Sequence, residues 1–311
     1  MRRPIAHLTG AAVVLAVLVA VSLTLAPGAF SPGGLPPTSS LPVASSSAQP
    51  KSPELPPSVR PSQQVEGGGG TAQPVELAPV SAAEAAALQA AVDRARLAFG
   101  LTSVAVGVSA DAHLGWSGAS GPPREGSSEP LSGTTPFAIA SVTKTFTAAI
   151  VLQLVDEGRV DLDAEVNAYL PELTIARGVT VRQLLSHTSG IADLLAPMRN
   201  RLNAEPARIW RPAEVLALLG PSTFPPGTSW AYSNTNYVIA GLLVERVTGN
   251  PFAEELERRL TSPLKLRGTG PPERGKLPEL LGASWSSAFW TSAMLDSNAA
   301  NLMRWGDALY G

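Results

Sequence analysis

Three regimes of hydrophobic and polar residues follow one another along the chain. Leu8 to Ala26, LTGAAVVLAVLVAVSLTLA, is almost wholly apolar and carries no charge. Residues 27–79 show neither a helical nor a strand period. From about residue 80 periodic patterns begin. Ser81-Ala82-Ala83-Glu84 reads as a capping box, and the Ala-rich stretch behind it predicts a helix reaching Gly100. Ser103 to Ala110 (SVAVGVSA) and His113 to Ser117 predict two strands of a hairpin. Val142 to Asp156 is a strongly apolar helix with Gly158 as its stop. Thr180 to Gln183 is a second capping box, ahead of Leu184 and Leu185. Pro212 starts a short helix that Gly220 closes. Asn236 to Val247 predicts a helix ending at Gly249, Pro251 begins the next, and Ser297 caps a last one. Helix, strands, then many helices predict an α+β domain whose sheet is split in sequence.

The two N-terminal regimes divide the chain. Arg2 and Arg3 ahead of the apolar run have the make-up of an export signal, and the run is also long enough to span a bilayer. Pro27 follows Thr24-Leu25-Ala26, where a cleavage site would sit, which favours an uncleaved anchor over a cleaved signal peptide. The arginines would keep the short end inside and the bulk outside, an extracytoplasmic location. Residues 27–79 are rich in Pro, Ser and Gly, with Gly67 to Gly70 in succession, and read as a disordered tether. Residues 80–311 are left for one packed domain.

Composition removes several chemistries. The formal net charge of -2 lacks the basic excess that nucleic-acid binding draws on. With no Cys there is no disulfide, thiolate nucleophile or Cys-ligated zinc. The three histidines, His7, His113 and His187, are scattered, so neither metal nor cofactor is expected. No G-x-S-x-G elbow and no Gly-rich phosphate loop occurs.

What remains is Ser-x-x-Lys, in which lysine serves as the base. Two matches occur, Ser141-Val142-Thr143-Lys144 and Ser262-Pro263-Leu264-Lys265. Ser141 stands where a Pro/Gly-rich loop and Phe137-Ala138-Ile139-Ala140 meet the long apolar helix, so Lys144 lies over the same helical face three residues on. Burial in an apolar helix start lowers a lysine's pKa, as a base at neutral pH requires. Ser262-Pro263-Leu264-Lys265 runs into a loop and reads as chance. Tyr232-Ser233-Asn234 opens a later helix, and residues i and i+2 of an extended segment point to one side. A phenol there can relay a proton, while an amide can hold both the lysine and a substrate amide.

Three segments carry a resemblance: SVTKTFTAAIVLQLVDEGRVDLDAEVNAYLPE from Ser141, LLSHTSG from Leu184 and GTSWAYSNTNYVIAGLLVERVTG from Gly227. Over roughly residues 81–311 the chain resembles the serine β-lactamase-related superfamily, which includes class C β-lactamases, serine D-alanyl-D-alanine carboxypeptidases and esterases. S-V-T-K and Y-S-N-T-N look most like the secreted actinobacterial carboxypeptidase type. The resemblance implies a helical region packed on an antiparallel sheet and an acyl-enzyme mechanism on a peptidoglycan-like peptide, a β-lactam or an ester. It implies that Ser141 attacks the carbonyl, that Lys144 takes its proton, that Tyr232 protonates the leaving group and that Asn234 orients the substrate. The Ser141 N–H would be half of the oxyanion hole. His187 reads as structural, Asp156, Glu157, Asp161 and Asp163 as a solvated helix end and turn, and Trp230 as a cleft wall or a packing residue.

The resemblance also implies a third motif, K-T-G or H-x-G, on a later strand, and no such triplet follows Tyr232. His113-Leu114-Gly115 matches but precedes Ser141, and reads as chance. Further strands and a closing helix would be expected beyond Gly311, leaving the hairpin as a two-stranded ribbon with an open edge. The alternative to an exported hydrolase is therefore a truncated non-catalytic remnant or tethered binding module.

Overall fold

The computed structural model describes residues 77–110, 114–122, 130–272 and 282–310. The apolar N-terminal run, the tether up to residue 76 and His113 lie outside the described residues. Among the described residues no helix is long and apolar enough to cross a membrane.

Strand β1 (Ala78–Pro79) precedes helix α1 (Ala82–Ala98), and strands β2 (Val104–Ala110) and β3 (Leu114–Ser120) form the hairpin. The Ser81 side chain accepts the Glu84 N–H and the Glu84 carboxylate accepts the Ser81 N–H, closing the capping box at α1. Along β2, Val104, Val106 and Val108 alternate with Ala105, Gly107 and Ser109. Alternate side chains face opposite sides of a sheet, so one face of the ribbon is bulky and the other small. Gln89 and Arg96 of α1 reach β3, donating to the Ala119 carbonyl at 2.9 Å and the Ser120 hydroxyl at 2.8 Å. The small face lets the C-terminal helix α9 (Ala299–Tyr310) approach closely, since a Cβ on Gly107 would meet the Ala299 carbonyl and the Met303 side chain.

The structure departs here from a two-stranded ribbon. Ala78 and Pro79, expected inside the tether, pair in parallel with Leu114 and Gly115, giving the sheet order β1-β3-β2. The second hairpin strand also runs on to Ser120, because Val104 to Val106 of β2 pair with Gly118 to Ser120.

A short ladder of β4 (Phe137–Ala138) with β5 (Asp296–Ser297) joins this sheet region to the helices. Helix α2 (Thr143–Asp156) runs through their centre, with Phe146, Ile150, Val151 and Leu154 fully buried. Burying each such side chain stabilises the fold by about 1.5–3 kcal/mol. The helices that follow are α3 (Val181–Leu185), α4 (Leu195–Ala204), α5 (Pro212–Leu216), α6 (Asn234–Thr248), α7 (Phe252–Leu256) and α8 (Gly282–Phe289). Helices α2, α6 and α7 enclose the main core, and Leu194, Met198, Trp210, Val215, Val238 and Phe289 form a second cluster among α4, α5, α6 and α8. A stack of Phe146 on Trp305, 4.1 Å between ring centroids, ties α9 to α2.

Several ends differ from the sequence expectation. Helix α6 starts at Asn234, two residues early, and stops where Gly249 takes φ 77°, a left-handed conformation glycine adopts without penalty. Helix α5 ends at Leu216, and overlapping turns rather than Gly220 finish it. The cap of α9 is Asn298, whose side chain accepts the Asn301 N–H at 2.9 Å. Ser297 shares a hydrogen bond with Thr269 instead, at 2.7 Å.

Candidate active site

The approach to Ser141 is set by backbone. Phe137 and Ala138 pair with β5, and the Ile139 N–H donates to the Leu295 carbonyl at 2.9 Å. Ala140 then takes φ 43°, a left-handed conformation that costs a non-glycine residue of order 1–3 kcal/mol. The strain turns the chain into a tight turn, Ala140–Val142, from which α2 starts at Thr143. Ser141 thus sits in the 3-10 turn ahead of the α-helix rather than in the helix itself, and its side chain is not a cap.

Lys144 lies in the first turn of α2 and is 6 % exposed. Its Nζ donates to Ser141 Oγ at 3.3 Å, to Asn234 Oδ1 at 2.8 Å and to the Ser292 carbonyl at 2.9 Å. Ser141 Oγ and Tyr232 Oη are hydrogen-bonded at 2.7 Å. The ammonium also lies 4.7 Å from the centroid of the Tyr232 ring and 5.6 Å from that of Tyr237. All four residues named from the two motifs therefore meet at one point. The meeting depends on α6 passing close to the Thr291–Ser292 turn. Gly241 allows this, since a Cβ there would overlap the Thr291 side chain.

The electrostatics follow from burial. Desolvation pushes the Lys144 amine down to about 8, with Asp193 acting in the opposite direction. Burial raises the Tyr232 phenol above its ordinary value, while its bond to Ser141 lowers it and Asp193 adds to the rise. Tyr237 is pushed up to about 12 by burial, with Tyr232 adding to the effect. His187 is held below its ordinary value by burial first and by Lys144 second. A neutral amine within reach of a serine hydroxyl can accept its proton, and a phenol bonded to the same hydroxyl can pass a proton to a leaving group. Among the described residues no group of three or more His, Asp or Glu side chains is placed to hold a metal ion.

His187 packs on the site. Its ring stacks on Tyr232 with centroids 4.6 Å apart, and its Nδ1 accepts the Ser233 N–H at 3.2 Å. Trp230 is 62 % exposed and meets His187 edge-on at 6.1 Å, so it stands at the surface beside the site. Ser262 and Lys265 are both exposed and lie in the turn after α7. Asp163 pairs with Arg182 and Glu157 with Arg259, while Asp156 and Asp161 are exposed. Among the described residues, Asp193, Tyr237 and the Ser292 carbonyl also touch the site without being part of the Ser-x-x-Lys or Tyr-x-Asn pairs. Asp193 accepts from Asn234 across 41 positions of sequence, and a backbone carbonyl leaves no trace in residue type.

A family model described as Beta-lactamase matches residues 86–307. Penicillin-binding protein 4 of Amycolatopsis lactamdurans is 39% identical over 135 residues, covering 42% of this chain and 34% of that protein. Esterase EstB of Burkholderia gladioli is 36% identical over 168 residues, covering 48% of this chain and 43% of the esterase. The chain thus spans less than half the length of these relatives. Among solved structures, a D-stereospecific amidohydrolase from Streptomyces sp. superposes with TM-score 0.60 and 31% identity, covering 72% of each chain. The mixed α+β fold, helices packed on a small sheet, is similar to that of this amidohydrolase and to that of a penicillin binding protein from Bacillus halodurans, which superposes with TM-score 0.61 and 24% identity over 70% of this chain and 72% of that one.

Proposed function

The chain belongs to the beta-lactamase family, and on that premise we propose that it is an exported serine hydrolase working through an acyl-enzyme on Ser141. The observation that carries this reading is the buried Lys144 with its Nζ 3.3 Å from Ser141 Oγ, and Tyr232 Oη 2.7 Å from the same atom. Neutral Lys144 takes the Ser141 proton as Oγ attacks an amide or ester carbonyl. The Ser141 N–H donates to the oxyanion that forms. Tyr232 hands a proton to the leaving group, its phenol being replenished from Lys144. Asn234 orients the substrate amide while keeping its carbonyl on Lys144. Water then releases the acyl group.

The substrate is a peptidoglycan-like peptide or a β-lactam, as for a D-alanyl-D-alanine carboxypeptidase or a β-lactamase. The likeness to a penicillin-binding protein and to a D-stereospecific amidohydrolase supports this reading. The likeness to an esterase supports a second reading, a carboxylesterase with the same serine and lysine. Arg2, Arg3 and the apolar run behind them support an extracytoplasmic location, with the N-terminal segment as signal or anchor. Intact mass after incubating the full chain with a penicillin tests the mechanism. The adduct is expected, is lost in Ser141→Ala and persists in Ser262→Ala. A folded protein that gains no adduct and cleaves neither a D-alanyl-D-alanine peptide nor a p-nitrophenyl ester would refute it. Release of the native protein from membranes by salt alone would count against an uncleaved anchor.

A further inference from the structure

Asn234 has one acceptor and two donors on its side-chain amide, and the surroundings divide them without ambiguity. Its Oδ1 accepts from Lys144 at 2.8 Å, while its Nδ2 donates to Asp193 Oδ1 at 3.0 Å and lies 3.3 Å from Oδ2. Rotating the amide by half a turn would set an NH2 against an ammonium and a carbonyl against a carboxylate, which is unfavourable at both ends. Asp193 Oδ1 also accepts the Asn234 N–H at 2.9 Å, at the first residue of α6, where Ser233 provides no side-chain cap. A carboxylate at that position is favoured by the positive end of the helix. The neighbouring Ala192 carbonyl accepts from Thr235 at 2.8 Å and from Ser233 at 3.3 Å, which fixes the loop against α6.

We propose that Asp193 is a positioning residue for the hydrolytic site: it holds the Asn234 carbonyl toward Lys144 and supplies the negative charge that faces the Ser141, Lys144 and Tyr232 group. The proposal rests on the serine hydrolase reading above. Among the described residues, four side chains with ionisable groups face Lys144 and its partners. They are Asp193 from the loop before α4, His187 from the turn after α3, Tyr232 from the segment before α6, and Tyr237 from α6 itself. Asp193 is the carboxylate of this set, and its charge raises the proton affinity of Lys144, His187 and Tyr232 alike. It thus sets how far burial is allowed to depress the lysine.

The two parts of the role separate by substitution. In Asp193→Asn, Oδ1 can still accept both bonds from Asn234 but the charge is gone. In Asp193→Ala both the bonds and the charge are gone. The full chain has only four lysines, Lys51, Lys144, Lys265 and Lys276, so 13Cε-lysine NMR can follow them singly, the Lys144 signal being the one lost in Lys144→Arg. Acylation by a penicillin is measured on the same samples by intact mass.

In Asp193→Asn the Lys144 midpoint is expected at lower pH than in the parent, and the acid limb of acylation moves with it. In Asp193→Ala the acylation rate above that limb falls by roughly 10²-fold, the size of effect that about 1 Å of misplacement produces. The asparagine variant recovers most of that loss. A Lys144 midpoint unmoved in both variants overturns the proposal, as does an equal loss of rate in the two with no shift. Should Asp193→Ala fail to fold, the Asp193→Asn midpoint decides alone. Should the parent form no adduct and cleave neither a D-alanyl-D-alanine peptide nor a p-nitrophenyl ester, the hydrolase reading fails, and the NMR midpoints still report on Asp193.

Discussion

The sharpest test of the site is the pH dependence of acylation at Ser141. Lys144 must be neutral to take the serine proton, and burial places its pKa at about 8 instead of the ordinary 10.5. A shift of that size is about 3 kcal/mol in favour of the neutral amine. An unshifted lysine would be neutral in about 0.03% of molecules at pH 7, whereas one titrating near 8 is neutral in about 10%, a gain of roughly 300-fold in competent enzyme. Between pH 6 and pH 9 the neutral fraction rises from about 1% to about 90%, so kcat/KM for a chromogenic β-lactam or ester should climb about 90-fold along a single ionisation. Stopped-flow acylation measures this directly, and kcat/KM reports the free enzyme. His187 is no competitor for the limb, since burial depresses it below its ordinary 6.5. Asp193→Asn provides an internal check. It removes the negative charge that raises Lys144, and the limb should move to lower pH. A rate flat from pH 6 to 9, or a limb that vanishes in His187→Gln while persisting otherwise, would refute the assignment of Lys144 as the base.

Tyr232→Phe keeps the ring stacked on His187, 4.6 Å away, but removes the hydroxyl, so adduct formation should slow by roughly 10²–10⁴-fold with unchanged circular dichroism. A parent-like time course by intact mass would remove Tyr232 as proton donor. Asp296 is buried, its Oδ2 has no partner among the described residues, and burial raises its carboxyl to about 6. A folded-state pKa above the unfolded one means that stability falls as pH rises from about 4 to 6. Asp296→Asn should therefore stabilise the fold by about 1–3 kcal/mol at pH 7 and by little at pH 4, and a variant less stable at pH 7 in urea melts contradicts this. Arg259 pairs with Glu255, whose side chain is fully buried, and with Glu157 at the end of α2. Arg259→Met should cost about 3 kcal/mol by urea denaturation, because it leaves buried charge short of a partner. A loss too small to measure would show that Arg258 and Asn250 suffice for Glu255.

Local chemistry was readable in advance wherever neighbours in sequence are neighbours in space. The capping boxes at Ser81 and Glu84 and at Thr180 and Gln183 involve residues three apart, and both close as the spacing requires. The apolar stripe of α2 and the left-handed stop at Gly249 are of the same kind. Ser141 with Lys144, and Tyr232 with Asn234, are likewise short-range pairs, and each could be picked out by its spacing. What spacing could not supply is the distance between the two pairs, closed by the packing of α6 on α2. Nor could it supply Asp193, the Ser292 carbonyl or the strand at Ala78–Pro79, each engaged with residues tens to more than a hundred positions away. Residue type and spacing determined which groups this protein possesses and several of the helices and strands that carry them. The tertiary structure decided their chemistry, because a lysine becomes a base near neutral pH only when packing removes its water and sets chosen oxygens around its amine.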